Sequence, residues 1–165
     1  LEELSKEFDY IVCDSPAGIE KGANLALYFA DDAFVVTNPE ISSVRDSDRM
    51  LGILSSKSRR AERNEEPIKE YLLLTRYDSD RVKSGEMLGL DDVQEILSLE
   101  LLGIIPESKS VLSASNAGIP VILNEKSEAG QAYADVVARY LGEKLPHRFI
   151  DGKQGFLRRL FGGRK

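Results

Sequence analysis

An α/β protein, with a parallel sheet flanked by helices, is what this 165-residue sequence predicts. Three observations carry the prediction. Short apolar, partly β-branched runs recur at Asp9-Tyr10-Ile11-Val12-Cys13, Ala33-Phe34-Val35-Val36-Thr37, Tyr71-Leu72-Leu73-Leu74-Thr75 and Leu101-Leu102-Gly103-Ile104-Ile105. Each run is continuous rather than alternating, as expected of strands buried on both faces by helices. Segments with apolar residues at helical spacing separate the runs, and a parallel crossover needs about that much chain.

Taken in order, residues 9–13 read as a buried strand ended by the turn cluster Asp14-Ser15-Pro16-Ala17-Gly18. A helix is expected from Asn24 to Phe29. The second strand closes at Asn38-Pro39-Glu40. A long helix follows from Ser42 to Ser58, with Ser42 or Ser43 as its cap and Val44, Met50, Leu51 and Leu54 at apolar positions. Residues 57–66 are highly charged and read as the helix end and an exposed loop. The third strand is followed by a helix over Leu90 to Ser98, and Pro106 stops the fourth strand. A short helix near Ser110 to Asn116 and a longer one from Ser127 to Leu141 complete the body. Gly142 to Pro146 reads as a linker.

Composition narrows the function classes. The chain has 42% hydrophobic and 30% charged residues, an ordinary globular profile, and no run of about 18 apolar residues that would cross a membrane. One cysteine, Cys13, excludes a disulfide framework and fits a reducing cytoplasm. One histidine, His147, argues against a His-built metal site or a Ser-His-Asp triad. Leu1, Leu4 and Phe8 have helical spacing with no initiator Met before them, so the chain is expected to be a fragment entered within a domain. Residues 151–165 hold Lys153, Arg158, Arg159, Arg164 and Lys165 against Asp151 alone, whereas the remainder holds 17 basic against 27 acidic residues. An acidic body argues against nucleic acid across a broad face, and a basic tail points to an anionic partner.

In parallel sheets ligands bind at the carboxyl ends of the strands. Here those ends are Asp14-Ser15-Pro16, Asn38-Pro39-Glu40, Thr75-Arg76-Tyr77 and Pro106-Glu107-Ser108, which would form one rim. Turns need such residues in any case, so a site and plain turns both stay open. Asp14 is the sharper signal. A carboxylate at the tip of an apolar strand is the Walker B pattern and can hold Mg²⁺, directly or through water, beside nucleotide phosphates. Gly18 would let backbone approach a γ-phosphate. The alternative is a helix-capping Asp. The decisive partner, a G-x-x-x-x-G-K-[ST] loop, does not occur in these 165 residues.

The tail is the second signal. On a helical wheel Phe156, Leu157, Leu160 and Phe161 fall within a ~140° arc, with Arg158 and Arg159 outside it. A short basic amphipathic helix of this kind suits an anionic membrane interface. A helix docked on its own core and a partner-binding helix are the alternatives. The apolar face is small, so one copy should bind weakly and two copies on a dimer more strongly.

Four segments together carry a resemblance: Cys13-Asp14-Ser15-Pro16-Ala17-Gly18-Ile19-Glu20, Asn38 through Arg49, Gly103-Ile104-Ile105-Pro106-Glu107 and the Phe156-to-Gly163 end. The chain resembles the MinD/ParA family of deviant Walker A ATPases, and the tail points to its septum-positioning branch. The resemblance covers essentially the whole chain but only the C-terminal three-fifths or so of the family pattern. It implies a P-loop NTPase-like fold without its N-terminal strands and P-loop, with residues 1–146 as part of the ATPase domain and 147–165 as linker and membrane-targeting helix.

The resemblance also implies roles. Asp14 is the catalytic and Mg²⁺-supporting aspartate. Ser15, Pro16, Ala17 and Gly18 form the turn near the γ-phosphate of ATP, and Arg76, Pro106 and Glu107 lie on the adenine side. Glu20, Ser42, Asp46, Asp48 and Asn116 lie on a face shared by the partners MinC and MinE at an ATP-dependent homodimer. Phe156, Leu157, Arg158, Arg159, Leu160 and Phe161 meet anionic membrane lipid, on the cytoplasmic side of the cell membrane. The complete protein would be an ATP hydrolase that recruits MinC, is stimulated by MinE and places the division septum, while this chain alone would be inactive. A ParA-like partition ATPase and a non-enzymatic α/β adaptor with a membrane tail remain the alternatives.

Overall fold

The computed structural model describes residues 1, 3–15 and 27–150. Three strands, β1 (Asp32–Thr37), β2 (Lys69–Tyr77) and β3 (Glu100–Pro106), form a parallel sheet in the order β1-β2-β3. The helices are α1 (Ile41–Lys57), α2 (Arg59–Glu62), α3 (Ser79–Lys83), α4 (Leu90–Leu97), α5 (Lys109–Ala117) and α6 (Glu128–Tyr140). The period of two along β2 sends Leu72 and Leu74 to one face and Leu73 to the other. The first face packs with Val35, Val44, Val93 and Leu97 beneath α1 and α4. The second packs with Leu102, Ala129, Ala132 and Val136 of β3 and α6.

Along β3 that alternation slips. Leu101 and Ile104 share one face and Leu102 and Ile105 the other, because a bulge lets Leu73 pair with Gly103 directly after Leu72 pairs with Leu101. Gly103 is required there: a Cβ on it would collide with the Val136 side chain of α6. A Cβ on Gly130 would lie 2.5 Å from the Asn124 carbonyl oxygen and 2.6 Å from that of Val121. Two glycines thus let α6 press onto β3 and onto the 3₁₀ turn Val121–Leu123. Side-chain caps start several helices. Ser58 accepts from the Ala61 amide, Asp78 from those of Asp80 and Arg81, Ser108 from that of Ser110 and Ser127 from that of Gly130.

Three expectations need correction. Residues 9–13 are not a buried strand: they join no ladder and are exposed, with Val12 91% exposed. Apolar, β-branched sequence becomes strand only beside another strand, and among the described residues this run pairs with none, although the Tyr10 ring meets that of Tyr140 edge-on at 6.4 Å. Nor is β1 covered on both faces, since Phe34 (45%) and Val36 (59%) lie on its open side. Finally, Ser42 and Ser43 do not cap α1. That helix begins at Ile41 with Glu40 at its N-cap, and no side chain caps it. Of the helix expected over 24–29, residues 27 and 28 are helical and 24–26 lie outside the described residues.

Candidate nucleotide-side rim

The carboxyl ends of β1, β2 and β3 do form a common rim. Thr75 donates from Oγ1 to Asn38 Oδ1 at 2.9 Å and to the Thr37 carbonyl at 3.3 Å, joining the first two ends. The Glu107 amide donates to the Tyr77 carbonyl at 2.9 Å, joining the second and third. Between these ties β2 bulges. Leu74 pairs with Ile104 and Tyr77 with Pro106, so three steps on β2 oppose two on β3. Arg76 absorbs the extra residue at φ 55°, in the left-handed region, which costs a non-glycine residue about 1–2 kcal/mol.

The bulge turns Arg76 out of the ladder, and its Nε donates to Glu107 Oε2 at 2.9 Å. That bond, reinforced by the charges of Glu107 and Glu40, raises the guanidinium above its ordinary pKa. Both side chains are largely exposed, so the pair adds little stability. What it provides is orientation, since Glu107 holds a planar cation in place at the rim. Arg76, Pro106 and Glu107, three residues assigned to the adenine side, are therefore neighbours.

A hydroxyl chain leads away from the rim. Ser108 Oγ lies 2.7 Å from Ser110 Oγ, which lies 2.6 Å from Ser127 Oγ at the start of α6. Neither Ser110 nor Ser127 is readable from the sequence as a neighbour of the rim. Their one signal was a serine just ahead of a helical run, which marks a cap and says nothing of contact across 17 residues.

Asp14 is exposed and Ser15 half-buried, just after the unpaired run at 9–13. Pro16, Ala17, Gly18 and Glu20 lie outside the described residues, as do tail residues 156–161. Ser42, Asp46 and Asp48 are exposed on α1, within an arc of roughly 160° that also holds Arg45 and Arg49. Asp46 meets Arg49 at 3.5 Å. Ser47, between the two acids, turns inward and donates to the Ser43 carbonyl at 2.9 Å. Asn116 is exposed on α5.

Among the described residues no three His, Cys, Asp or Glu side chains converge to hold a metal ion. A lone carboxylate such as Asp14 fits a Mg²⁺ ion whose remaining ligands are water and phosphate oxygen, the usual arrangement for that ion, and does not fit an all-protein site. No helix among the described residues is long and apolar enough to cross a membrane.

No protein-family model matches the chain. Its sequence is 66% identical to the septum site-determining protein MinD of Escherichia coli K12 over 165 residues, covering 99% of this chain and 61% of that protein. The chain thus spans about three-fifths of the length of the curated relatives it matches. Its fold is similar to MinD of Aquifex aeolicus in a MinC:MinD complex, with TM-score 0.78, 40% identity and coverage of 89% of this chain and 58% of that one. It is also similar to Pyrococcus horikoshii MinD complexed with Mg-ADP, with TM-score 0.68, 26% identity and coverage of 87% and 57%. With this identity over nearly its whole length, and with a parallel α/β sheet shared with the solved structures, the chain belongs to the MinD family of septum site-determining proteins.

Proposed function

We propose that this chain serves in a membrane-associated ATPase of the Min system. The full-length protein binds ATP with Mg²⁺, dimerises, engages anionic lipid, recruits MinC, is stimulated by MinE and so helps place the division septum on the cytoplasmic side of the membrane. The observation that carries the reading is the 66% identity to a septum site-determining MinD across 99% of the chain. A MinC:MinD complex and a Mg-ADP complex among the solved relatives support MinC and a magnesium nucleotide as ligands.

The residues divide the work. Arg76, held by Glu107, and Pro106 offer a planar cation and an apolar ring edge to a base or ribose at the rim. Asp14, with Ser15 to Gly18, supports Mg²⁺ and orients a water near the terminal phosphate. Mg²⁺, when bound, neutralises phosphate charge. The phosphate cradle itself needs a Gly-Lys-[ST] loop that these 165 residues lack, so the chain alone should bind ATP weakly and turn none over. The exposed acids Asp46 and Asp48 on α1 give partners a surface of alternating charge beside the rim. Phe156, Leu157, Leu160 and Phe161, with Arg158 and Arg159, form the lipid-binding tail.

Asp46→Ala and Asp48→Ala in the full-length protein test the partner face. ATP binding should stay within about twofold of wild type, while partner-stimulated hydrolysis falls several-fold, an interface effect of about 1–2 kcal/mol. Unchanged stimulation and unchanged MinC recruitment in both variants would remove α1 from the docking surface.

A further inference from the structure

Beyond α6 the chain does not simply leave the body. Gly142, at φ 99°, turns it back, and α6 itself then catches it. Arg139 donates from Nε to the Leu145 carbonyl at 3.0 Å and from Nη2 to the Pro146 carbonyl at 2.8 Å, while its Nη1 donates to the Leu102 carbonyl of β3 at 3.0 Å. One guanidinium thus ties helix, strand and returning chain. One turn earlier on α6, Asp135 is buried at 8% exposure. It receives Arg148 in a two-pronged pair, Nη2 to Oδ1 at 2.7 Å and Nε to Oδ2 at 2.8 Å. Arg139 stands 3.8 Å from the same carboxylate. Phe149 packs with the Leu73/Leu102 layer and Ile150 with the Leu72/Ile104 layer, so the segment reaches both faces of the sheet and crosses at β3, the strand at that end of the ladder order.

We propose that Asp135, Arg139 and Arg148 form a clasp that fixes the point at which the chain leaves the body for its basic amphipathic tail. The inference rests on reading that tail as the lipid-binding element. A plain linker has no need of a buried carboxylate or a shared guanidinium. Arg148 is itself exposed, but the Asp135 carboxylate it meets is buried, and leaving a buried charge without its partner is costly. Arg148 lies eight residues before Phe156, the first apolar residue of the tail motif, so anchoring it acts close to the tail. Leu145 to Ile150 are withdrawn from the tether, leaving residues 151–155 ahead of Phe156. Release of the clasp would lengthen the tether from five residues to eleven. Since effective concentration falls roughly as the −3/2 power of tether length, capture of the second tail of a dimer by a membrane would weaken about threefold. The three side chains are positioning residues and touch no nucleotide site.

The test uses the full-length protein with Mg-ATP and anionic vesicles. In wild type, chymotrypsin should cut slowly after the packed Phe149. Arg148→Gln, which leaves Arg139 beside Asp135, should speed that cut at least tenfold and weaken vesicle binding about threefold, with ATP turnover off the membrane unchanged. Because this variant also loses a positive charge, a second one inserts six Gly/Ser residues between Ile150 and Asp151. It should keep Phe149 protected and weaken binding by a similar factor. Rapid cutting after Phe149 in wild type, or wild-type vesicle affinity in both variants, would overturn the clasp. If wild type itself fails to pellet with vesicles, the lipid reading of the tail falls and takes this coupling with it. Wild-type pelleting with unaltered variants defeats the clasp alone.

Discussion

At the β3 end of the sheet the chain completes its own packing, and at the β1 end it does not. On β3, Gly103 admits Val136, Arg139 reaches the Leu102 carbonyl, and Phe149 and Ile150 pack against the core layers on its two faces. On β1, Phe34 is partly sheltered by Tyr71 and Tyr140, with ring centroids 5.8 and 5.0 Å away. The Tyr140 hydroxyl donates to Asp32 at 2.9 Å, and burial with that carboxylate pushes its pKa up to about 12. One pair further toward the rim, Val36 is left open, and the run from Tyr10 to Cys13 lies exposed outside the sheet. Similar apolar sequence therefore has two fates, set by whether a neighbour is present to share its backbone hydrogen bonds.

If the open end is where catalytic function concentrates, its residues should matter to turnover far more than to stability. Asp14→Ala in the full-length protein should lower ATP hydrolysis at least about a hundredfold, the scale expected for losing a group that supports the metal and attacking water, and leave the melting temperature within about 2 °C. Normal turnover would make Asp14 a helix cap and dissolve the contrast.

The packed end should show the reverse. Gly130→Val places atoms against two backbone carbonyls and should cost about 2–3 kcal/mol by overpacking, read by chemical denaturation. Val36→Thr in this 165-residue chain, at an open position, should stay within about 0.5 kcal/mol. Comparable losses from the two changes would mean that the ends are equally packed.

The smallest effect concerns His147 beside the clasp. Burial and the nearby Arg139 lower its pKa, while Asp135 opposes them. The folded imidazole is thus harder to protonate than the unfolded one, so the unfolded state binds more protons as pH falls below about 6.5. The stability this group contributes is full above that pH and is lost below it. His147→Gln should trim the acid-side fall in melting temperature by about 1–2 °C. An unchanged pH profile would show that His147 titrates as in open chain.

Much of this architecture was legible in the sequence. The runs at 33–37, 71–75 and 101–105 became β1, β2 and β3, and the helices over 42–58, 90–98 and 127–141 appear within a residue or so of their expected ends. Apolar periodicity reports such elements well because each buries its face locally. The failures share a cause. The strand at 9–13, the cover over Val36 and the clasp at Asp135 all depend on what lies across space, and a run of residues does not encode its neighbour. The rim was half legible. Arg76 and Glu107 could be placed at strand ends, but the left-handed bulge that points one at the other had no sequence mark, since Arg is not a residue that favours φ 55°.

In the proposed reading the protein works on a membrane through its tail. Co-sedimentation of the full-length protein with anionic vesicles, in Mg-ATP and in Mg-ADP, tests it most directly when run beside Leu160→Glu. Pelleting is expected with ATP, little with ADP, and none in the variant at an unchanged melting temperature, because an unpaired charge on the tail's apolar face opposes entry into the acyl boundary. Equal pelleting of Leu160→Glu, together with a lowered melting temperature, would contradict it and assign the tail to the core.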